Sequence, residues 1–301
     1  MNDILLDFLN RQDVDYKRIK VSSISSIGIG GMATVVVPRN DSELIKIIDF
    51  LSFQEIGYKI VGRMTNILPC DDEYTGLIIQ TKRLSSVLIG EDDVKVETGA
   101  PLSLALVRSM HCGLGGAEAL YGIPGSVGGM TVSNAGAYGA EMSEFITRVE
   151  AYDPTTRKRI VLTNGELGFS YRHSVFKERD LIVLSVALAL VRKNTALIKE
   201  GFDHYSALRR SSQPVSEPSL GSIFKRRDGT PISYLIDKAG LKGLTVGGAA
   251  ISDKHAGFIV NRGGASALDV IRLIDIIKDA IYKKYGIMPE EEIEYLKGKF
   301  T

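Results

Sequence analysis

The sequence predicts a multi-domain protein that mixes helices with short strands, and three observations support this prediction. The chain has 301 residues and 44% of them are apolar, which is enough for two or three hydrophobic cores. Short β-forming runs dominate the middle of the chain, whereas helix-capping signals dominate its last third. The predicted domains are residues 1–57, 58–200 and 201–301.

The first predicted element group is a small βαβ unit. Asn40 and Asp41 are good helix N-caps. Behind them, apolar residues recur at helical spacing from Leu44 to Leu51, and the β-rich runs ATVVVP and YKIVG flank this helix. The runs LIIQTK, VKVET, RVEAYD and LIVLSVALALV predict later strands, and one short helix is predicted to begin near Pro101.

The last third of the chain predicts two capped helices. Pro231 suits the first position of one helix, and Gly240 is a preferred residue for its end. Ser266 and Asp269 form a predicted capping box for the second helix, which Gly286 ends.

Composition excludes several classes of function. Lysine plus arginine (37) balances aspartate plus glutamate (36), so no nucleic-acid partner is predicted. The two cysteines form no disulfide framework and fit a reducing compartment. The N-terminus carries acids where a signal peptide has bases, and no apolar run is long enough to span a membrane. We therefore expect a cytoplasmic protein with no membrane partner, and the histidine and cysteine spacing predicts no metal site.

Residues 28–33, GIGGMA, fit the pattern of a dinucleotide-binding fingerprint. That site requires a strand before the glycines and a helix after them. Here the strand-like run TVVVP follows, so the sequence argues against a Rossmann site.

Residues 121–139, YGIPGSVGGMTVSNAGAYG, form a glycine-rich segment with six glycines. Such backbone can present several N–H groups to one anion. The alternative is a tight structural crossover between strands, and composition alone favours neither. A phosphate-bearing cofactor is the best physical reason for so much bare backbone. Two polar clusters, FSYRHSVFK and PSLGSIFK, are by themselves more typical of surface turns.

Together these motifs resemble the UDP-N-acetylenolpyruvoylglucosamine reductase family of flavoenzymes. The resemblance rests on six motifs in order: GIGGMA, GIPGSVGGMTVSNAGAYGAE, YRHSVFK, PSLGSIFK, LIDKAGLKGLTVGGAAISDKHAGFIVN and GIMPEEEIEYL. It runs from about residue 28 to 296, which is nearly the whole chain. The short spacing between Arg172 and Ser222 resembles the family's shorter subtype.

The resemblance implies the α+β class, with a two-lobed FAD-binding module of the vanillyl-alcohol-oxidase type and a C-terminal α+β substrate domain. It also implies bound FAD, NADPH as co-substrate, a UDP-sugar substrate and a place in peptidoglycan precursor synthesis.

The site residues follow from the same resemblance. Arg172 and Glu292 are expected to hold the carboxyl end of the reaction intermediate, and Ser222 is expected to donate a proton. Four further residues are expected to bind substrate: Tyr171, Lys225, Lys242 and His255. Two segments are expected to bind FAD, namely the loop 62–66 (Gly62, Arg63, Met64, Thr65, Asn66) and the glycine-rich segment (Gly122, Ile123, Pro124, Gly125, Ser126, Gly128, Gly129, Asn134, Gly136, Ala137).

Two departures from the family pattern keep alternatives open. The family usually carries GGGSN in the first of these segments, and Arg63 and Met64 replace two of its glycines. If those positions need left-handed dihedrals, each substitution costs about 1–2 kcal/mol. Arg226-Arg227 also replaces the usual Asn-Pro. One alternative is a degenerate paralogue that binds nucleotide or FAD without turnover. The other is an FAD oxidase of the wider superfamily, which the presence of all three expected catalytic residues disfavours.

Overall fold

The computed structural model describes residues 3–91 and 93–296. Its α-helices are α1 (Asp3–Arg11), α2 (Asp41–Phe53), α3 (Leu102–His111), α4 (Val127–Val132), α5 (Thr195–Ser212), α6 (Ile232–Lys238) and α7 (Ala267–Tyr285). Its strands are β1 (Tyr16–Lys20), β2 (Met32–Val36), β3 (Tyr58–Val61), β4 (Ile67–Pro69), β5 (Tyr74–Gln80), β6 (Val87–Ile89), β7 (Val94–Glu97), β8 (Leu114–Gly115), β9 (Gly136–Ala137), β10 (Ala140–Glu141), β11 (Ile146–Asp153), β12 (Lys158–Thr163), β13 (Ile182–Leu188), β14 (Val191–Arg192), β15 (Ser219–Ser222), β16 (Thr245–Val246), β17 (Ala249–Ile251), β18 (Phe258–Asn261) and β19 (Glu294–Leu296).

The chain folds into two compact units, each made of separate stretches of sequence. The first unit comprises Met1–Lys17, Val35–Arg63 and Gly76–Leu208, and the second comprises Arg18–Thr34, Met64–Thr75 and Arg209–Thr301. The three domains expected from the sequence remain a prediction.

The first unit contains an antiparallel sheet with the strand order β12-β11-β13-β7-β6. Every residue of β13 is buried, because both of its faces are covered. Val183 and Val186 belong to a core that includes α3, α4 and α5 residues, whereas Ile182 and Leu184 belong to a core with α1 and α2. Burial on both faces explains why this strand reads as a nearly unbroken apolar run.

A four-stranded sheet has the order β1-β2-β5-β3, and β3 runs parallel to β5. Helix α2 connects β2 to β3, so strand, helix and strand follow one another in the predicted order. The helix begins where the sequence predicts, because the Asn40 side chain accepts a hydrogen bond from the Glu43 N–H at 2.9 Å.

The second unit is built on an antiparallel sheet with the order β15-β18-β17-β16, whose apolar core includes residues of α6 and α7. Both predicted helices of this region are confirmed. Pro231 is the N-cap of α6, Ser266 and Asp269 form the capping box of α7, and Gly286 ends α7 in a left-handed conformation. Strand β19 pairs in parallel with β4.

Helix α5 was not predicted, although it is 18 residues long. Gly201 in its middle weakens the helical pattern. A Cβ at Gly201 would lie 2.9 Å from Glu118 Cγ, so close packing explains the glycine. Ile198 and Phe202 of this helix are buried in the core of the first unit.

Membrane-spanning helices and clusters of metal-binding side chains are both absent from the described residues. No helix among them is both long and apolar enough to cross a membrane. In the same part of the chain, no group of three or more His, Cys, Asp or Glu side chains is arranged to hold a metal ion. Cys70 is buried and Cys112 is exposed, and within the described part of the chain neither forms a disulfide bond.

Candidate functional site

The glycine-rich segment contains a short helix, α4, which the sequence did not predict. Ser126 caps this helix, and the N–H groups of Val127 and Gly128 donate to the carbonyls of Ala100 and Thr98, each at 2.8 Å. A Cβ at Gly128 would lie 2.0 Å from Thr98 Oγ1. Part of the glycine content is therefore required by packing inside the protein.

The loop 62–66 begins against this same helix. A Cβ at Gly62 would lie 2.0 Å from Ser126 Oγ, so the glycine lets the loop backbone approach the N-cap of α4. Both residues belong to the first unit. The structure thus brings the start of the loop 62–66 against Ser126 of the glycine-rich segment, and both segments were predicted to bind one cofactor.

Several backbone N–H groups at this contact have no acceptor among the described residues. Across residues 3–91 and 93–296, no hydrogen bond is formed by the N–H groups of Gly62, Arg63, Gly125 or Ser126. Gly129 leaves further space, because the nearest neighbour of a Cβ there would be 3.5 Å away. Clustered N–H donors of this kind suit an anion such as a diphosphate.

Asn134, at the end of α4, uses its side-chain amide inside the protein. Its Nδ2 donates to Glu141 Oε2 at 2.8 Å and to the Ser170 carbonyl at 3.0 Å, and its Oδ1 accepts from the Ser143 N–H at 2.9 Å. The residue is buried. Its N–H also donates to the Thr131 carbonyl at 3.2 Å, so the side chain and the N–H are both engaged inside the protein, and the predicted cofactor contact of Asn134 stays a prediction.

Arg172 lies beside the end of the glycine-rich segment. Its Nη2 donates to the Gly136 carbonyl at 3.4 Å, and its guanidinium carbon is 5.1 Å from the centre of the Tyr171 ring. Its backbone is left-handed, with φ 57°. Non-glycine residues in this conformation are uncommon and cluster at functional sites.

Ser222 and Glu292 are brought together in the second unit, although they lie far apart in sequence. The Glu292 N–H donates to the Ile223 carbonyl at 2.8 Å, and the Lys225 N–H donates to the Glu290 carbonyl at 2.9 Å. The Ser222 hydroxyl lies 3.3 Å from the Phe224 carbonyl oxygen. Backbone pairing between the residues after β15 and those before β19 therefore fixes both expected catalytic residues.

The second half of the loop 62–66 contacts the same region. Asn66 Nδ2 donates to the Glu292 carbonyl at 3.0 Å, and the Glu294 N–H donates to the Asn66 carbonyl at 2.9 Å. Met64 is buried and left-handed, with φ 49°. The sequence analysis assigned Asn66 to the cofactor alone, and the structure shows that it also holds the backbone of Glu292.

The expected substrate residues of the second unit are partly engaged with neighbours. Lys225 forms an ion pair with Glu290, and Lys242 Nζ lies 2.9 Å from Asp237 Oδ2. Burial lowers the pKa of His255, and the charge of Lys242 adds to this effect against an opposing backbone hydrogen bond. His255 Nδ1 accepts the Gly257 N–H at 3.2 Å, so the neutral ring carries its proton on Nε2.

The expected catalytic and substrate residues are divided between the two units. Tyr171 and Arg172 belong to the first unit, and the second unit holds the others: Ser222, Lys225, Lys242, His255 and Glu292. Their roles remain predictions.

Sequence analysis missed two residues that support these segments. Thr98 accepts the Gly128 N–H. Ser26 Oγ lies 3.0 Å from the Met64 carbonyl oxygen and 2.6 Å from that of Ser219. No local pattern identifies either residue, because each acts on backbone that is distant in sequence.

Parts of the chain match known protein domains. Residues 213–296 match the C-terminal domain of UDP-N-acetylenolpyruvoylglucosamine reductase, and residues 32–159 match an FAD binding domain. The UDP-N-acetylenolpyruvoylglucosamine reductase of Thermotoga petrophila is 40% identical over 277 residues, which cover 91% of this chain and 96% of that protein. The reductase of Caldanaerobacter subterraneus is 38% identical over 300 residues, which cover 97% of this chain and 99% of that protein.

A solved structure shows the same architecture. The crystal structure of UDP-N-acetylenolpyruvylglucosamine reductase from Thermus caldophilus matches with a TM-score of 0.82 at 30% identity. The match covers 94% of this chain and 100% of that one. These similarities confirm the predicted fold class, an FAD-binding module followed by a C-terminal α+β domain.

Proposed function

The chain belongs to the UDP-N-acetylenolpyruvoylglucosamine reductase family, and on that premise we propose that it reduces UDP-N-acetylenolpyruvoylglucosamine to UDP-N-acetylmuramate. NADPH is the reductant and FAD is the bound cofactor. The reaction supplies peptidoglycan precursors, and so contributes to cell-wall synthesis, cell shape and division. The observation that carries this proposal is 40% identity to a reductase of that name over 91% of the chain. The alternative of a paralogue without turnover receives no support from the named relatives.

FAD fits the residues present in the first unit. The N–H groups of Gly62, Arg63, Gly125 and Ser126, which have no acceptor among the described residues, suit its diphosphate. We propose that the exposed Arg63 side chain adds a positive charge for the same diphosphate. When bound, FAD supplies hydride transfer from NADPH to the vinyl group of the substrate.

Ser222 is the proposed proton donor. A hydroxyl is a weak acid, so it transfers a proton efficiently only to a strongly basic atom. Hydride addition at the terminal vinyl carbon leaves negative charge on the neighbouring, carboxylate-bearing carbon, which is such a base. The hydroxyl is positioned by β15, and its bond of 3.3 Å to the Phe224 carbonyl is long enough to be exchanged for one to substrate.

Arg172 and Glu292 are proposed to stabilise the carboxyl end of the substrate as negative charge develops there. Fixed donors aimed at developing charge supply a large share of catalysis. The left-handed backbone of Arg172 and its bond to Gly136 support a fixed guanidinium. Glu292 acts there as a protonated donor or by orienting a donor, and Asn66 and Ile223 hold its backbone in place.

The UDP-sugar is proposed to be bound by Tyr171, Lys225, Lys242 and His255. Lysine ammonium groups bind phosphates as point charges, and both lysines already lie beside carboxylates, so substrate phosphates compete with Glu290 and Asp237 for them. The neutral His255 offers an N–H at Nε2. We place the reaction in the cytoplasm, where NADPH is supplied and where reducing conditions suit a chain whose two cysteines form no disulfide framework.

An anaerobic two-step assay tests this proposal. The purified holoprotein is first reduced with NADPH while flavin absorbance is followed, and the enolpyruvyl substrate is then added. We expect bleaching in the first step and recovery of the flavin absorbance in the second. UDP-N-acetylglucosamine, which lacks the vinyl group, is the control and should restore no absorbance. Bound flavin that the substrate does not reoxidise would favour the paralogue without turnover.

A further inference from the structure

Gln80, the last residue of β5, has a buried polar group that no protein atom satisfies. The residue is 5% exposed, and its Oε1 has no hydrogen-bond partner among the described residues. An unpaired buried amide disfavours the folded state, and buried polar groups are nearly always bonded to protein, water or a ligand. The adjacent Thr81 differs in this respect, because its Oγ1 lies 3.3 Å from the Val61 carbonyl oxygen.

The position of Gln80 places it beside the unbonded N–H groups of the loop 62–66. In the parallel pairing of β3 with β5, Gln80 is the partner of Val61, and Gly62 follows directly. Leu77 and Ile79 pack into the core with α1 and α2. Because side chains alternate along a strand, Gln80 lies on the face opposite that core.

The chain beyond β5 also meets the residues that hold the glycine-rich segment. A Cβ at Gly99 would lie 1.8 Å from the Thr81 carbonyl oxygen. The preceding residue, Thr98, accepts the Gly128 N–H at 2.8 Å. The end of β5, the start of the loop 62–66 and the first turn of α4 therefore converge in the first unit, with Gln80 at the end of β5.

We propose that Gln80 is a further cofactor-binding residue, whose side-chain amide hydrogen-bonds a sugar or sugar-alcohol hydroxyl of FAD next to the diphosphate. This inference rests on the proposed function. A diphosphate bound by the N–H groups of Gly62, Arg63, Gly125 and Ser126 would bring its flanking ribityl and ribose hydroxyls close to the end of β5. A hydroxyl is the donor that the unpaired Oε1 requires.

The test compares three variants as apoproteins, with two measurements on each. FAD affinity is measured by quenching of flavin fluorescence, and apoprotein stability is measured as the thermal midpoint. Gln80→Leu removes the amide and keeps a similar side-chain volume. Gln80→Glu keeps the side-chain shape but adds a negative charge beside the diphosphate. Thr81→Val is the matched control, because Thr81 is also a buried polar residue but has a partner inside the protein.

We expect Gln80→Leu to weaken FAD binding by about 5- to 20-fold while the apoprotein midpoint stays equal or rises, since an unsatisfied group is removed. Gln80→Glu should weaken FAD binding further, and it serves as the test if the leucine variant does not fold. Thr81→Val should lower the midpoint and change FAD affinity by less than about twofold. Competition by ADP shows which hydroxyl of FAD is bound. If Gln80→Leu weakens the binding of both ADP and FAD, the bond is to the ribose. If it weakens the binding of FAD alone, the bond is to the ribityl chain.

Two results would overturn the inference. One is wild-type FAD affinity in both Gln80 variants. The other is weaker binding together with a lowered apoprotein midpoint, which would make Gln80 a structural residue. Failure of the wild-type apoprotein to bind FAD would instead contradict the proposed function, so the two failures are distinguishable.

Discussion

Met64 is a single residue at which two energetic effects oppose each other. Its backbone is left-handed, whereas Arg63 is not among the residues with positive φ. Of the two residues that replace glycine in the loop 62–66, only Met64 therefore has the left-handed backbone that costs a non-glycine residue energy. The Met64 side chain is 2% exposed, so it also contributes apolar burial that glycine cannot provide.

We expect Met64→Gly to destabilise the protein by about 1–3 kcal/mol. Relief of the left-handed strain returns about 1–2 kcal/mol, but truncation of a buried methionine costs about 2–5 kcal/mol. Urea denaturation measures the difference. Met64→Leu, which keeps the volume, should cost less than about 1.5 kcal/mol. A glycine variant more stable than wild type would show that strain outweighs burial.

Ser222 should matter in only one half of the reaction. Ser222→Ala should leave reduction of the flavin by NADPH unchanged, because no proton transfer to substrate carbon occurs in that step. Reoxidation by the enolpyruvyl substrate should slow by about 10²- to 10⁴-fold, the usual cost of losing a general acid. Stopped-flow absorbance separates the two steps, and normal reoxidation in the variant would refute this role for the hydroxyl.

At the scale of elements, the N-terminus of α7 is capped by a carboxylate from a residue that is distant in sequence. The N–H groups of Ala267 and Leu268 donate to Asp71 Oδ1 at 2.8 Å and Oδ2 at 3.3 Å. A carboxylate at a helix N-terminus satisfies unpaired N–H groups and complements the helix dipole. Asp71 therefore supplements the local capping box of Ser266 and Asp269.

Asp71→Ala should lower the free energy of unfolding by about 0.5–2 kcal/mol. Glu73→Ala is the matched control, because Glu73 is exposed and its ion pair with Arg18 lies at the surface, where such pairs contribute little. Thermal unfolding of both variants measures the difference. Equal midpoints for the two would mean that the capping box alone suffices.

A pH-dependent contact joins Glu118 to the segment that leads into α5. Burial opposes ionisation of Glu118, but hydrogen bonds from Lys193 and from the Gly116 N–H outweigh it, so the pKa is lowered. A carboxyl with a lowered folded-state pKa stabilises the fold above its unfolded pKa, near 4.3, and this stabilisation is lost as pH falls through the folded value.

Glu118→Gln should therefore destabilise the protein by about 1–2 kcal/mol at neutral pH. The difference from wild type should shrink as the pH falls below about 4. Urea denaturation at several pH values measures it, with the exposed Glu200→Gln as control. A constant difference across this range would exclude the carboxylate charge as its cause.

For the whole molecule, FAD should act as a stabilising ligand. At about a hundredfold excess over its dissociation constant, a ligand of the folded state adds about 2.7 kcal/mol. For a chain of this size that corresponds to a rise in thermal midpoint of about 4 °C. Riboflavin lacks the diphosphate and should raise the midpoint less. An equal rise with riboflavin would contradict diphosphate binding by the N–H groups near Gly62 and Ser126.

The sequence by itself determined the family and those helix ends that depend on neighbouring residues. The caps at Asn40, Ser266 and Gly286 were predictable because each bond joins residues only a few positions apart. The six motifs that identified the family are likewise short stretches of consecutive residues, and their order can be seen in the sequence alone. Helix α5 was not predicted, because the glycine in its middle, Gly201, is required by close packing against Glu118, which is distant in sequence.

Only the tertiary structure decided which distant residues meet. It paired Ile223 with Glu292, placed Gly62 against Ser126, and showed that the glycine-rich segment serves internal packing as well as the expected cofactor. It also showed that Met64, and not Arg63, carries the left-handed strain. Such contacts depend on the packing of whole strands and helices, so no window of sequence contains the information that fixes them.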